Sequence, residues 1–325
     1  MPSQFYRIET VRTGTQSKPG DVKYNLIKDV QFKELKSKVR KRVDKPVQIT
    51  FDAEFEKKVL NKKASMSVGY YSFDYLSRED VLSLEYKRFL YDTFLKAIPS
   101  DEAVLYTQFN EINYIHGTTS IEGNTLSQQE VSDLLEKSIS PARTNLREIF
   151  EVQNYKKVRS FTHAQNKRID LPFIKKVHTL VMENILDDPG QFRQIGHVDI
   201  SECDLQLTPP ELIEEELEEA VSKCYENIDV GKYPFEQIIR FHYDFEMIHP
   251  FVDGNGRVGR ELANYLLRKE RYPELILRSE DRNDYIKALQ YGNISEYRPM
   301  IEIFSRLYQN RLSKIEIEFD KLKTK

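Results

Sequence analysis

Cysteine is nearly absent from this chain, with only Cys203 and Cys224 among 325 residues. Neither belongs to a CxxC pair or has a histidine at metal-ligand spacing, so neither a disulfide framework nor a zinc site is indicated. Long apolar runs are missing as well. No stretch approaches the ~20 residues that a membrane helix requires, and no membrane-spanning role is expected. The first residues, Met1-Pro2-Ser3-Gln4-Phe5-Tyr6-Arg7, contain no apolar core of the kind a secretory leader has, so no leader is expected. Internal repeats and low-complexity segments are also lacking. A formal net charge of −3, with 31% charged residues, argues against a membrane protein and against overall nucleic-acid binding. The expected class is a cytoplasmic enzyme, long enough for one large core plus an appendage.

Charge is unevenly spread. Residues 1–50 hold 12 Lys/Arg against 5 Asp/Glu, while the remainder holds 37 against 47. Phe5 to Val11 and Val22 to Val30 alternate apolar and polar around a Gly/Pro-containing stretch, which predicts a β-hairpin. The basic stretch Lys36 to Val43 reads as a third strand completing a small sheet, either a solvated charged edge of the kind that deters further pairing or a nucleic-acid or partner-docking module. From about residue 49 onward a helical period dominates. Helices are expected near 51–62, 78–98, 101–116, 127–138, 143–165, 171–185, 209–227, 234–248, 255–270, 281–292 and 296–318. The acidic run 211–219 reads as an exposed helix face.

One segment concentrates the chemistry: His249-Pro250-Phe251-Val252-Asp253-Gly254-Asn255-Gly256-Arg257-Val258-Gly259-Arg260. Upstream, Ile238, Phe241, Phe245 and Ile248 recur at helical spacing, and downstream Val258, Leu262 and Leu266 do the same. The Asp-Gly-Asn-Gly turn therefore opens a second helix. First-turn N–H groups lack intrahelical partners and sit at the positive end of the helix dipole, so a phosphate there finds donors ready. Gly254 and Gly256 allow the main chain close to an anion. Arg257 and Arg260 bring planar guanidinium forks suited to phosphate oxygens. Asp253 is a hard oxygen ligand fit for a hydrated Mg²⁺ bridging nucleotide phosphates. His249 accepts a proton near neutral pH. Asp-Gly and Asn-Gly are also ordinary turn formers, and a lone histidine is usually structural. Their joint spacing reads instead as phosphoryl or nucleotidyl transfer.

The segment matches every defined position of H-x-F-x-[DE]-G-N-G-R-x-x-R, and the chain thereby resembles Fic-domain proteins, most closely the animal-type Fic enzymes. The resemblance implies a mainly α Fic-fold helical bundle with a short β-hairpin flap, to which the small β-rich N-terminal region is added. It implies transfer of AMP from Mg²⁺-bound ATP to a Tyr, Ser or Thr hydroxyl of a target protein. His249 would be the general base and Asp253 the Mg²⁺ ligand. Gly254, Asn255 and Gly256 would cradle the α- and β-phosphates with Arg257, and Arg260 would hold the γ-phosphate. Gly256 stands where the related Doc-type kinases carry lysine, which favours AMP transfer over phosphate transfer.

A second motif, Thr118-Thr119-Ser120-Ile121-Glu122-Gly123, fits the family's autoinhibitory [ST]-x-x-x-E-[GN] helix, here about residues 111–123. Without the family it reads as a helix ending at a glycine, with Thr125 or Ser127 capping the next helix. By resemblance Glu122 pairs with Arg260 and obstructs the γ-phosphate in cis, a contest between a carboxylate and a phosphate for one guanidinium. Pro189-Gly190-Gln191-Phe192-Arg193 matches the lead-in to the flap, where His197, Val198, Asp199 and Ile200 would pair with the target main chain as an added strand. Arg282, Tyr285 and Asn293 match a pattern near the adenosine pocket, although Ile286 departs from the second of two adjacent tyrosines in the animal-type enzymes. Helix core is an equally good reading of Tyr285 and Ile286.

The expected organisation is a β-rich region at 1–48, a helical linker region at 49–99 and the Fic domain at 100–325. Self-modification and a homodimer belong to the same expectation; a membrane or nucleic-acid partner does not. Three other readings stay open: removal of AMP from a modified protein with Glu122 aligning water, nucleotide binding without turnover with partners docked through residues 1–50, and transfer of another phosphate-containing group.

Overall fold

The computed structural model describes residues 6–11, 22–28, 47–51, 71–97, 100–142, 144–196, 207–291 and 296–323. The chain divides into two compact units, one of residues 1–68, 78–109 and 308–325, the other of residues 69–77 and 110–307.

The first unit holds strands β1 (Tyr6–Val11), β2 (Val22–Lys28) and β3 (Val47–Phe51), antiparallel in the order β1-β2-β3. Tyr6 lies opposite Lys28 and Val22 opposite Phe51. The basic stretch 36–43, expected as the third strand, lies outside the described residues, and the third strand is Val47–Phe51 instead. The helix expected at 51–62 also lies outside them, apart from Phe51, which ends β3. Helix α1 (Arg78–Ala97) belongs to this unit as well.

Helix α2 (Ser100–Ser120) runs from the first unit into the second. The second unit continues with α3 (Gln128–Lys137), α4 (Leu146–Ala164), α5 (Leu171–Val181), α6 (Ile213–Asp229), α7 (Pro234–Ile248), α8 (Asn255–Lys269) and α9 (Arg282–Gln290). Helix α10 (Arg298–Lys323) begins there. Local chemistry sets several starts. Ser127 accepts from the N–H of Glu130 while Glu130 reaches back to the Ser127 N–H, a reciprocal cap that starts α3 at the position the sequence marks. Asn145 and Glu148 do the same for α4, and Asp170 caps α5. Proline at the first position opens α7 with its fixed φ.

The core is centred on α8. Asn255 and the run from Arg257 to Leu267 are all buried, the mark of a helix surrounded on every side. Helix α7 packs against α8 and α6, and α5 against α4 and α8. The anticipated stripes are buried: Ile238, Phe241, Phe245 and Ile248 on α7, Val258, Leu262 and Leu266 on α8. Burying such side chains supplies roughly 1.5–3 kcal/mol each. Two long buried helices are thus pinned on either side of a six-residue loop, 249–254, which holds His249, Asp253 and Gly254.

Candidate functional site

Helix α7 ends with His249 in the left-handed region at φ 49° and ψ 60°, its N–H donating to the Phe245 carbonyl at 3.0 Å. A non-glycine residue holds this conformation only when its surroundings impose it. Arg193 imposes it. Its Nε donates to the His249 carbonyl at 2.7 Å and Nη2 to the Ile248 carbonyl at 3.1 Å, while its own N–H donates to the Pro250 carbonyl at 2.9 Å. The clamp leaves the imidazole with Nδ1 at 3.3 Å from the Glu246 carbonyl. A carbonyl accepts only, so Nδ1 carries the proton and Nε2 is left as the basic nitrogen. Burial pulls His249 down to about 4, against the opposing pull of the Glu246 carbonyl, so the ring is neutral near pH 7.

Beyond His249, the loop is braced from beneath. Gly190 donates its N–H to His178 Nδ1 at 2.7 Å, which makes Nε2 the protonated nitrogen, and Nε2 donates to the Asp253 carbonyl at 3.0 Å. The His178 ring stacks on Phe251 with centroids 3.7 Å apart and planes 3° from parallel. Asn255 closes the loop from the other side, accepting from the Phe251 N–H at 2.9 Å and donating to the Phe251 carbonyl at 2.8 Å. Its side chain is therefore committed to the loop, and any donor it offers a ligand is its main-chain N–H. Gly254 starts α8 at φ 83° with no side-chain cap, and a Cβ there would lie 2.7 Å from Met182 Sδ. The uncapped first turn keeps its N–H groups for an anion.

Three carboxylates and three guanidiniums flank that turn. Arg260 donates through Nη2 to Glu122 Oε1 at 2.6 Å and to the Thr118 carbonyl at 2.9 Å, and through Nε to Thr118 Oγ1 at 2.9 Å. Helix α2 ends at Ser120, before Glu122, so the carboxylate sits in the turn that follows rather than on the expected helix of 111–123. Gly123 at φ 94° and the Thr119 carbonyl, which accepts from both the Glu122 and Asn124 N–H groups, fix that turn. Gly256 faces the pair closely: a Cβ would lie 2.5 Å from Glu122 Oε1 and 2.9 Å from Arg260 Nη1. Burial works to raise the Glu122 carboxyl, but Arg260 and Arg257 overcome it and hold the group ionised below the usual range. Arg257 donates to Glu151 Oε1 at 2.9 Å and Asp253 Oδ1 at 3.1 Å, and Arg147 donates to both of the same carboxylates.

Behind Arg260 lies a second buried group. His242 Nε2 meets the Tyr285 hydroxyl at 3.0 Å, and His242 Nδ1 lies 3.9 Å from Glu246 Oε1. Burial pushes Glu246 up to about 8 and His242 down to about 3. Tyr285 is only 2% exposed, consistent with the helix-core reading, and its hydroxyl points to His242. His197, Val198, Asp199, Ile200 and Asn293 lie outside the described residues. Sequence reasoning missed Arg147, Glu151 and Glu246; the only local trace is the four-residue spacing of Arg147 and Glu151, which places them on one helix face.

These groups set a pH dependence of stability. His178 is drawn to about 4 by burial, like His249, and His242 to about 3. All three bind protons more readily unfolded, near 6.5, so they lower stability as pH falls below about 6.5. Glu246 acts oppositely: protonated in the fold up to about 8 but released near 4.5 when unfolded, it lowers stability as pH rises between those values. Three sites outweigh one on the acid side, and Glu246 alone acts on the alkaline side. These four groups are expected to place the maximum of the denaturation midpoint at about pH 7, falling more steeply toward acid. Urea titrations between pH 5 and 8.5 check it.

Residues 168–267 match the description of the Fic/DOC family. The protein adenylyltransferase fic-1 of Caenorhabditis elegans is 27% identical over 198 residues, which cover 59% of this chain and 39% of that protein. The protein adenylyltransferase Fic of Drosophila grimshawi is 28% identical over 243 residues, covering 71% of this chain and 47% of that protein. The chain thus spans less than half the length of these relatives. A solved structure of Fic-1 from C. elegans superposes with a TM-score of 0.63 at 25% identity, covering 74% of this chain and 71% of that one. Among the described residues, no helix is long and apolar enough to cross a membrane.

Proposed function

We propose that this chain, whose residues 168–267 match the Fic/DOC family, transfers AMP from Mg²⁺-bound ATP to a Tyr, Ser or Thr hydroxyl of a target protein, restrained in cis by Glu122. The observation that carries the reading is the pairing of Glu122 with Arg260 at 2.6 Å beside the uncapped start of α8. Arg260 is deeply buried, Glu122 is the carboxylate it holds, and the place they share is where a nucleotide's terminal phosphate would lie if the first-turn N–H groups took the others.

The contacts support a role for each residue in this reading. The inner phosphates sit against the turn Gly254-Asn255-Gly256 and take the main-chain N–H groups of Asn255 and Gly256, while the Gly254 N–H is held by Asp253 Oδ1 at 2.6 Å. Arg257, fixed by Glu151 and Asp253, supplies positive charge beneath them, and Arg260 receives the terminal phosphate once Glu122 has left. His249 Nε2 takes the proton of the target hydroxyl, the oxygen forms its bond to the α-phosphorus, and the bond to pyrophosphate breaks. Asp253 fits a divalent cation. Among the described residues no group of three candidate metal ligands exists, and a single carboxylate suits a Mg²⁺ that keeps its water and shares phosphate oxygens. When bound, that ion neutralises charge on the phosphates. The flap at His197, Val198, Asp199 and Ile200 would align the target main chain. Asn293 and the α9 segment with Tyr285 would flank the adenosine. Self-modification, a homodimer and a cytoplasmic setting belong to the same proposal.

The test is AMP incorporation from ATP labelled at the α-phosphate, into the chain itself and into proteins of a lysate. Label with Glu122→Gly and little with the unaltered chain is expected. No label from either, with folding and ATP binding intact, would turn the reading to a nucleotide-binding protein without turnover.

A further inference from the structure

We propose that Arg147 is the resident counter-cation of Asp253, holding the position that a divalent cation takes and leaving it when that cation arrives. The proposal rests on the reading of Asp253 as the cation's carboxylate.

Both Asp253 oxygens are occupied. Oδ1 accepts from the Gly254 N–H at 2.6 Å and Arg257 Nη2 at 3.1 Å, and Oδ2 accepts from Arg147 Nη2. Glu151 closes a ring, its Oε1 accepting from Arg257 Nη1 at 2.9 Å and Arg147 Nε at 3.2 Å. Two guanidiniums and two carboxylates thus balance in charge. Their freedom differs: the Arg257 side chain is 2% exposed, Glu151 8%, Asp253 35% and Arg147 49%. Arg257 is fixed within the core. Arg147, in the first turn of α4, is the member able to swing into solvent, and its departure bares Oδ2. The ring also reaches the inhibitory turn, since Glu151 Oε2 accepts from Asn124 Nδ2 at 2.9 Å, two residues past Glu122.

A half-exposed ion pair is weak enough to be displaced and strong enough to compete. Arg147 therefore lowers the affinity of Asp253 for a free cation, and the site fills only with a cation that brings phosphates of its own. Specificity for the cation–nucleotide complex over the bare ion follows.

The measurement is Mn²⁺ binding without nucleotide, read from the electron paramagnetic resonance of free hydrated Mn²⁺. It is made on the unaltered chain, Arg147→Ala, Arg147→Lys and the double variant Arg147→Ala with Asp253→Asn, each checked for folding by thermal unfolding. Arg147→Ala is expected to bind Mn²⁺ about three- to fivefold tighter, Arg147→Lys close to the unaltered chain, and the double variant to lose the gain. No gain in Arg147→Ala overturns the proposal. A gain that survives Asp253→Asn removes the cation from Asp253 and so refutes the reading of that residue instead. A non-hydrolysable ATP analogue titrated with and without Mn²⁺ completes the set: weaker binding by Arg147→Ala in both series would make Arg147 a phosphate ligand and also overturn the proposal.

Discussion

Replacing His249 by alanine in a chain that already carries Glu122→Gly is expected to lower AMP transfer by about 10²- to 10⁴-fold with ATP affinity nearly unchanged, the range lost when a positioned base is removed. The expectation depends on the tautomer. Nδ1 faces the Glu246 carbonyl, so the free lone pair is on Nε2, and alanine removes that acceptor without touching the first turn of α8. The Arg193 clamp acts on main-chain carbonyls and survives the substitution. Since burial sets His249 at about 4, the rate of Glu122→Gly alone should stay level from about pH 8 down to about pH 5, rather than halving near 6.5. Single-turnover labelling across that range, with ATP affinity measured separately, checks both statements. An equal loss of affinity and rate would make His249 a binding residue.

Glu122→Gly alone is expected to tighten Mg²⁺-bound ATP by about 5- to 150-fold, the usual span of coupling between two groups that exclude one another. In its absence Arg260 keeps its two bonds to Thr118 and loses its carboxylate. A deeply buried guanidinium without an anion is costly, so the nucleotide-free variant should also melt at a lower temperature than the unaltered chain. Glu246 softens that loss: burial chiefly keeps it protonated and the Glu122 charge adds to this, so removing Glu122 eases its ionisation toward Arg260. The clearest sign is therefore a difference, a larger rise in melting temperature on adding ATP and Mg²⁺ to Glu122→Gly than to the unaltered chain. Calorimetric titration gives the affinities. Equal affinities would detach Glu122 from the phosphate site.

The loop 249–254 was legible because its information is local. The stripe Ile238, Phe241, Phe245 and Ile248 dictates one buried helix, Val258, Leu262 and Leu266 another, and glycine between them a turn. Glu122 opposite Arg260 was legible only through resemblance, since 138 residues separate them. The ring of Arg147, Glu151, Asp253 and Arg257 was not legible, because its closing contact joins residues 106 apart and Arg147 looks like any exposed first-turn arginine. Tyr285 was ambiguous for a physical reason: an aromatic residue at helical spacing serves a core and a base equally well. It is 2% exposed, with its hydroxyl 3.0 Å from His242 Nε2. Helix α2 stops at Ser120, short of the 123 that the resemblance implies, because the Thr119 carbonyl binds two later N–H groups and turns the chain.

The central claim is that this site moves AMP rather than phosphate. The most direct measurement supplies Glu122→Gly with ATP labelled at the α-phosphate in one reaction and at the γ-phosphate in another, and follows protein-bound label. Label from the α-position alone, with pyrophosphate released, is the predicted result; label from the γ-position alone would contradict it and make the chain a kinase.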